Sequence, residues 1–429
     1  MSRYKLFAKY VFPSVLAFAL SGVYTIVDGY FVGQSMGDTG LSAINIAFPI
    51  VSLIQSSGTG IGMGGAVLWA VKRETESPES AGKYVRATLL LLLLASAAST
   101  TGLFFLTGPV LRLFGAQGKI FVFGKEYLDV IVLGAAFQIF ATGIVPIIRN
   151  NGSSFFALVV MVSGFLTNIL LDYVFVWVLD MGTQGAAIAT IIGQLVTTLE
   201  AFIYLLCRSL PIRGSLSEFG RIAAHICKVG IAPFGLTLSP MVSLMLINRF
   251  AMMNGGEAAV ACYACIAYAL TIVQMLMQGV GDGSQPLMSR YYGEGNGAQM
   301  AQTRKIAYIA AIGLSVVCNF LLFFTRGSLG ELFGASKSTG ILVAEVLPIF
   351  LVGLVFYAFS RITTSSFYAT EKNLFSYLCV YSEPFLLLIL LLALPAFLGQ
   401  TGVWWSVVLS QILTAFLALA LRTAEDRNR

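Results

Sequence analysis

Residues Thr167–Thr190 read TNILLDYVFVWVLDMGTQGAAIAT. An apolar run enters a short turn at Asp180-Met181-Gly182, and a run of small apolar residues leaves it. That is the pattern of two membrane helices joined by a tight connection. Two residues break the apolar run, Asn168 and Asp172. They are four apart, so a helix puts both on one face.

The rest of the chain reads the same way. Of 429 residues, 57% are hydrophobic and only 11% charged. A soluble domain carries about a quarter charged residues. Spans of about 20 apolar residues fall near 11–35, 41–69, 84–107, 121–148, 155–180, 185–207, 222–250, 258–288, 305–325, 340–367, 374–398 and 401–421. The expectation is an all-α membrane protein of twelve helices. MSRYKLFAKY leads into a first span that contains Asp28 and lacks a small-residue cleavage pattern, so no removable leader is expected.

Twenty of the 26 Lys and Arg fall on the side of the N-terminus, among them Arg3, Lys72, Arg73, Arg208, Arg213, Arg290, Arg304, Arg422 and Arg429. Positive-inside logic then puts both termini in the cytoplasm of a cell-membrane protein. The basic runs are topology signals, and no nucleic-acid partner is expected.

The chain repeats itself. LFGA occurs at Leu113–Ala116 and Leu332–Ala335, and Gly60-x-Gly62 and Gln55 recur as Gly279-x-Gly281 and Gln274, all at an offset of 219. Pro13 recurs as Pro233, and Gly185 with Gln194 as Gly402 with Gln411. The ordered matches imply a duplicated six-helix unit, 1–214 and 215–429. Parallel repeats of this kind handle substrate between them by alternating access.

An ionisable side chain inside a span costs at least about 2.5–3.5 kcal/mol on insertion scales and is a functional candidate by default. Asp28 and Asp172 each lie 17 residues from the start of an outward-running span, roughly 25 Å at 1.5 Å per residue. Asn168 and Tyr24 sit one turn before them, and Thr190 enters the next span at the same depth. Two such carboxylates cannot both ionise cheaply, so the group takes up a proton or ligates a small hard cation. Polar glue between helices is the competing reading, but glue rarely needs two carboxylates.

The second half lacks the pair: Asn248 and Leu391 stand at the repeat positions of Asp28 and Asp172. Its acids Asp282, Glu345 and Glu383 lie near polar stretches, and an interfacial position is open for each. Cys262-x-x-Cys265 reads as two small buried helix residues, since no second ligand pair or βαβ context accompanies it. Prolines 13, 49, 146, 233, 240, 286, 348, 384 and 395 are expected kinks. A bend at Pro13, on the helix of Asp28, would couple that site to helix shape.

The sequence resembles the multidrug and toxic compound extrusion (MATE) transporters over nearly its whole length. The resemblance rests on Pro13-x14-Asp28 followed by GYFVGQSMG, on IIRNNGSSFFAL (147–158), on Asn168-x3-Asp172 with GAAIAT (185–190), and on QPLMSRYYGEGN (285–296). It implies two six-helix bundles forming a V-shaped cavity, and antiport of cationic or amphipathic drug-like molecules against H⁺ or Na⁺. It implies a first-lobe cation site of Asp28, Asn168, Asp172 and Thr190, with Tyr24 beside it. Pro13 matches the proline where the first helix is proposed to bend, and Asn150 and Asn151 match a polar stretch ending the fourth span. Some members carry coupling acids in the seventh and tenth spans; here Asn248 replaces the one, and the core of the tenth has none. A monomer with no cofactor beyond the coupling ion is expected. A lipid-linked oligosaccharide flippase is the alternative, though it would call for more cationic residues in the interior. One histidine and no nucleophile–base or metal cluster argue against an enzyme.

Overall fold

The computed structural model describes residues 2–208, 210, 218–333 and 335–427. The expected repeat boundary at 214/215, with Arg213, Gly334 and Arg429, lies outside them. The described chain is helical: α1 Arg3–Thr75, α2 Pro78–Phe104, α3 Thr107–Leu113, α4 Gly118–Leu133, α5 Ala135–Asn150, α6 Ser154–Asp172, α7 Gly182–Cys207, α8 Phe219–Gly293, α9 Gly297–Leu332, α10 Lys337–Ala369, α11 Asn373–Ala393 and α12 Pro395–Arg427.

Ten helices among the described residues are long and apolar enough to cross a bilayer, with α1 counted as Arg3–Gly37 and Thr39–Thr75. The bent pair α4 and α5 adds an eleventh span. Helix α8 counts once among the ten, but its 75 residues and a break at Gly256 give it the length of two spans. Each of the twelve expected spans therefore has its helix.

The residues that leave helical conformation inside the long helices are glycines, while Pro395 opens α12 just after the end of α11. Gly37 (φ 60°, ψ −155°) interrupts α1, and Gly256 (φ 64°, ψ −158°) interrupts α8. These dihedrals are open to glycine and strained for any L side chain. The two glycines are 219 residues apart, so the duplication read from sequence is also present in the backbone. Gly182 (φ 57°) and Gly399 (φ 55°) form a second such pair, 217 apart. The 57° bend between α4 and α5 falls at Gly134, which packs against Ile191. Helices α1, α5, α10 and α11 run through Pro13, Pro49, Pro146, Pro348 and Pro384, and none of these prolines leaves helical conformation. Proline loses one hydrogen bond, but its φ near −65° is already helical.

The chain packs as two compact units, 1–238 with 289–296, and 239–288 with 297–429. Packing thus carries the start of α8 with the first unit, beyond the expected 214/215 division. The reason lies in SSGTGIGMGGA (56–66). Glycines in a helix each cost about 1 kcal/mol relative to alanine. Here they let backbones touch: Gly58 and Gly62 meet Ile139 and Gly143 of α5, Gly65 meets Thr88 of α2, and Gly60 and Gly64 meet Gly230 and Ile226 of α8. Small-residue crossings are the usual way membrane helices associate.

In the second unit, Asp282 is buried and paired. It is 4% exposed, and its Oδ1 accepts from Arg361 Nη2 at 3.0 Å and from the Tyr368 hydroxyl at 3.2 Å. Glu345 is exposed on α10, and Glu383 lies midway along α11. Cys262 and Cys265 are buried free thiols of α8.

Two substitutions test this packing. Gly230→Val should lower the detergent melting midpoint by the equivalent of about 1–3 kcal/mol, because its Cβ meets the Gly60 carbonyl. Gly102→Val, which meets nothing within 4 Å, should leave it unchanged. Arg361→Ala should cost about 3–5 kcal/mol by stranding Asp282. The Asp282→Ala/Arg361→Ala double variant should recover part of that loss in the same melting assay.

Candidate cation site

Three segments of the first unit build the site. The first half of α1 supplies Tyr24 and Asp28, one turn apart. Helix α6 supplies Asn168 and Asp172, again one turn apart, and α7 supplies Thr190. The α6–α7 crossing is set by glycines: Gly164 lies against Thr197 and the Gly193 carbonyl, and Gly193 against the Gly164 carbonyl and Asn168 Cβ. That close approach brings Asn168 Nδ2 within 3.4 Å of Thr190 Oγ1 as its donor.

The carboxyl groups of Asp28 and Asp172 are within hydrogen-bond reach of each other. Tyr24 lies beside Thr190 and both carboxylates and stacks on Phe165, with ring centroids 5.0 Å apart and planes 7° apart. Asn168 is 2% exposed and Asp172 fully buried. Immediately after Asp172 the helix widens into a π-helical turn, Tyr173–Val178. The sequence there, YVFVWV, is all β-branched or aromatic and so a poor α-helix interior. Such π-turns inside α-helices occur often at functional sites.

The satisfaction of the oxygens is the informative feature. Asp28 Oδ1, Asn168 Oδ1 and both carboxylate oxygens of Asp172 are buried without a hydrogen-bond donor. Ionised carboxylates only accept. Two of them facing one another can therefore bond only through a proton, or be balanced by a cation between them. Carboxylate, amide and hydroxyl oxygens are hard donors that suit a proton or a small cation such as Na⁺. Among the described residues there is no group of three or more His, Cys, Asp or Glu able to hold a metal. The oxygen set is thus two carboxylates with neutral partners.

The structure brings together Tyr24, Asp28, Asn168, Asp172 and Thr190. It adds Tyr127 of α4, buried and beside both carboxylates. No local motif marks Tyr127; only the fold carries it there. Asn150 and Asn151 are elsewhere. Asn150 Nδ2 donates to the Pro146 carbonyl at 2.9 Å, and Asn151 Nδ2 donates to the Tyr204 hydroxyl at 3.0 Å, which donates to Ser153 at 2.7 Å. Tyr204 is 14 residues along α7 from Thr190, about 21 Å. Pro13 is 15 residues from Asp28, a similar distance along α1. The acid Glu200 of α7, unremarked in the sequence, accepts from Ser163 at 2.6 Å, about 15 Å along the helix from Thr190. Asp180 is exposed in the turn before α7 and accepts from Ser35.

The MatE family signature matches residues 13–174 and 233–390, which is most of the chain. The chain belongs to the MatE family. Its two matched segments start 220 residues apart, the spacing of Pro13 and Pro233, so the family signature itself occurs twice. MatE proteins are transporters, not enzymes. The chain is similar to the multidrug export protein MepA of Staphylococcus saprophyticus, 24% identical over 419 residues, covering 95% of this chain and 91% of that one. It is 23% identical to MepA of Staphylococcus aureus strain MRSA252, over 97% of this chain and 93% of that one. Its fold matches a multidrug resistance MATE transporter in an outward-facing conformation, at TM-score 0.89, 22% identity, and coverage of 99% and 97%. It also matches a transporter of the same superfamily from Pyrococcus furiosus, at TM-score 0.91, 22% identity, and coverage of 98% and 95%.

If the acids were structural glue, removing one would loosen the helices. If they are held apart from their donors for function, Asp28→Asn and Asp172→Asn each supply a missing donor. The expected outcome is a detergent melting midpoint unchanged or raised in both variants. A fall in both would mark the acids as glue.

Proposed function

We propose that this MatE protein is a secondary antiporter that exports cationic or amphipathic small molecules in exchange for H⁺ or Na⁺. The observation that carries this reading is the set of donorless oxygens on Asp28, Asn168 and Asp172. A site of that kind is incomplete without a positive charge, and it gains one by binding the coupling ion. The names of the MepA relatives support drug-like cargo. In this reading Asp28 and Asp172 hold the ion, while Asn168 and Thr190 orient around it. Tyr24 and Tyr127 wall the site from α1 and α4. The repeats 1–214 and 215–429 are the moving parts of alternating access. Pro13 is a hinge of the first span, and Asn150 and Asn151 line the route of the cargo. The protein works as a monomer in the cell membrane with both termini cytoplasmic, a placement supported by the Lys and Arg bias.

The ion acts through charge. Proton uptake or Na⁺ binding changes the net charge of a buried site by one unit. That change biases any equilibrium between two helix arrangements that solvate the site differently. The polar oxygens thus couple an ion gradient to a movement without covalent chemistry.

The test is ethidium export from reconstituted vesicles with imposed proton or sodium gradients. Wild type should export along one of the two gradients. Asp28→Asn and Asp172→Asn should lose gradient-driven export by about tenfold or more while still binding ethidium. Normal export by both variants would sink the coupling assignment, and gradient-independent export by wild type would sink antiport. Movement of a polyprenyl-diphosphate lipid in the same vesicles would favour a flippase.

A further inference from the structure

Past Asp172 the chain winds on through Tyr173–Val178 with wider turns than an α-helix. Leu179 N–H reaches back five residues to the Val174 carbonyl at 2.9 Å, and Met181 N–H reaches back six to that of Phe175 at 2.9 Å. An α-helix reaches back four. On the inner side the α spacing is intact, with Tyr173 N–H bonded to the Ile169 carbonyl. Asp172 is therefore the last residue of α6 before the widening.

Packing holds both sides of this turn. Inward, Gly164 and Gly193 cross closely, and Asn168 Nδ2 donates to Thr190 Oγ1 at 3.4 Å. Outward, Ser35 Oγ of α1 donates to the Val176 carbonyl and to Asp180 Oδ1, each at 3.4 Å. Phe31 of α1 meets Tyr173 and Trp177 edge-on, at 6.4 and 6.3 Å between centroids. Gly185 lies against Phe175, and Thr183 Oγ1 donates to the Phe123 carbonyl at 3.0 Å. The widened turn lets both sets of contacts form at once. Taking up the extra residue to give a continuous α-helix would turn one side against the other by about 100° and draw it in by about 1.5 Å. One set would then break.

We propose that this turn is a register switch for Asp172, with Ser35 as the residue that positions it. In the register seen here Asp172 lies beside Asp28 and Asn168 reaches Thr190, the arrangement that an ion between the acids stabilises. With the ion gone the like charges repel, and tightening the turn to α spacing swings Asp172 away from Asp28. Loading is thereby passed to the outer ends of α1 and α6 as a rotation. The inference rests on the antiport reading for the ion, but the register is measured without transport.

Trp177 is half exposed and rides on the turn, so its fluorescence reports the register. Facing Asp172 are Asp28 and Tyr24 of α1 and Tyr127 of α4, and Asp180 is the acid beside Ser35. The experiment titrates purified full-length protein in nanodiscs with acid and with Na⁺. Trp177 emission is taken as the difference from Trp177→Phe, while a protonated-carboxyl infrared band or bound radioactive Na⁺ records occupancy. Wild type should shift its Trp177 emission in step with occupancy. Asp172→Asn, which keeps Asp180, should show no shift. Ser35→Ala should need about fivefold more proton or Na⁺ for the same shift, and Ser35→Thr, which keeps the hydroxyl, should match wild type. Deletion of Val178 gives the bond from Leu179 to Val174 its α spacing; it should abolish the shift, and it serves as the readout if Ser35→Ala does not fold. Occupancy without a Trp177 shift in wild type, or a Ser35→Ala titration identical to wild type, would overturn the switch. A shift in a wild type that exports nothing would remove the antiport reading and leave the switch standing.

Discussion

Asp28 and Asp172 face each other across α1 and α6, and neither offers the other a proton when both are ionised. Much of the first unit is arranged around that mismatch. Gly164 and Gly193 bring α6 and α7 close enough for Asn168 to reach Thr190. Tyr24 lies beside Thr190 and is pinned by Phe165. Each of these contacts fixes a neutral group at the edge of the pair, and none neutralises it. A packed core of the same volume would be more stable without the acids, because a buried charge is expensive unless paired. Keeping both carboxylates makes the site dependent on an external positive charge.

The scaffold is a duplicated backbone carrying two different chemistries. Gly37 and Gly256 adopt the same glycine-only conformation one repeat apart, as do Gly182 and Gly399 in their shared positive φ. These positions are backbone requirements, so they survive in both copies. The acids have no such backbone role, and they differ. The first repeat has Asp28 and Asp172; the second has Asn248 and Leu391 in their places and sets Glu383 where the first has Gly164. Duplication fixed where the helices turn and cross, and the side chains at the crossings were free to diverge.

Much of this was legible in the chain. Hydropathy shows the spans, and the ordered matches at 217–220 show the repeat. Helical periodicity and equal distance from the span ends bring Asp28, Asn168, Asp172, Thr190 and Tyr24 to one depth. What stayed hidden depends on tertiary packing. Proline is the obvious kink signal, yet the bend fell at Gly134, where the absence of a side chain makes room for Ile191. The pairing of Asp282 was not legible either, since its partner Arg361 is 79 residues away and no periodicity connects them. Tyr127 reaches the site only because α4 packs there. The depth of Glu383 was obscured by the polar residues before α11, although counting from the true helix ends puts it at the centre.

On the proposed antiport reading, the charge count of the first site says why two acids would serve better than one. A carboxylate pair holding one proton or one Na⁺ has net charge −1, and the empty pair has −2. Both states repel anions and neither is neutral, so the site never becomes a comfortable apolar contact that would leave the protein resting in one state. A single carboxylate would become neutral on loading, and its loaded form would bury at little cost. With a pair, loading halves the charge but leaves a residual field, since the interaction is poorly screened away from water. The loaded and empty states then differ in how much water they need around them, and that difference is what a gradient can act on. Asn168 and Thr190 belong to the same logic. As neutral dipoles they turn to either occupant without cancelling the charge that distinguishes the two states.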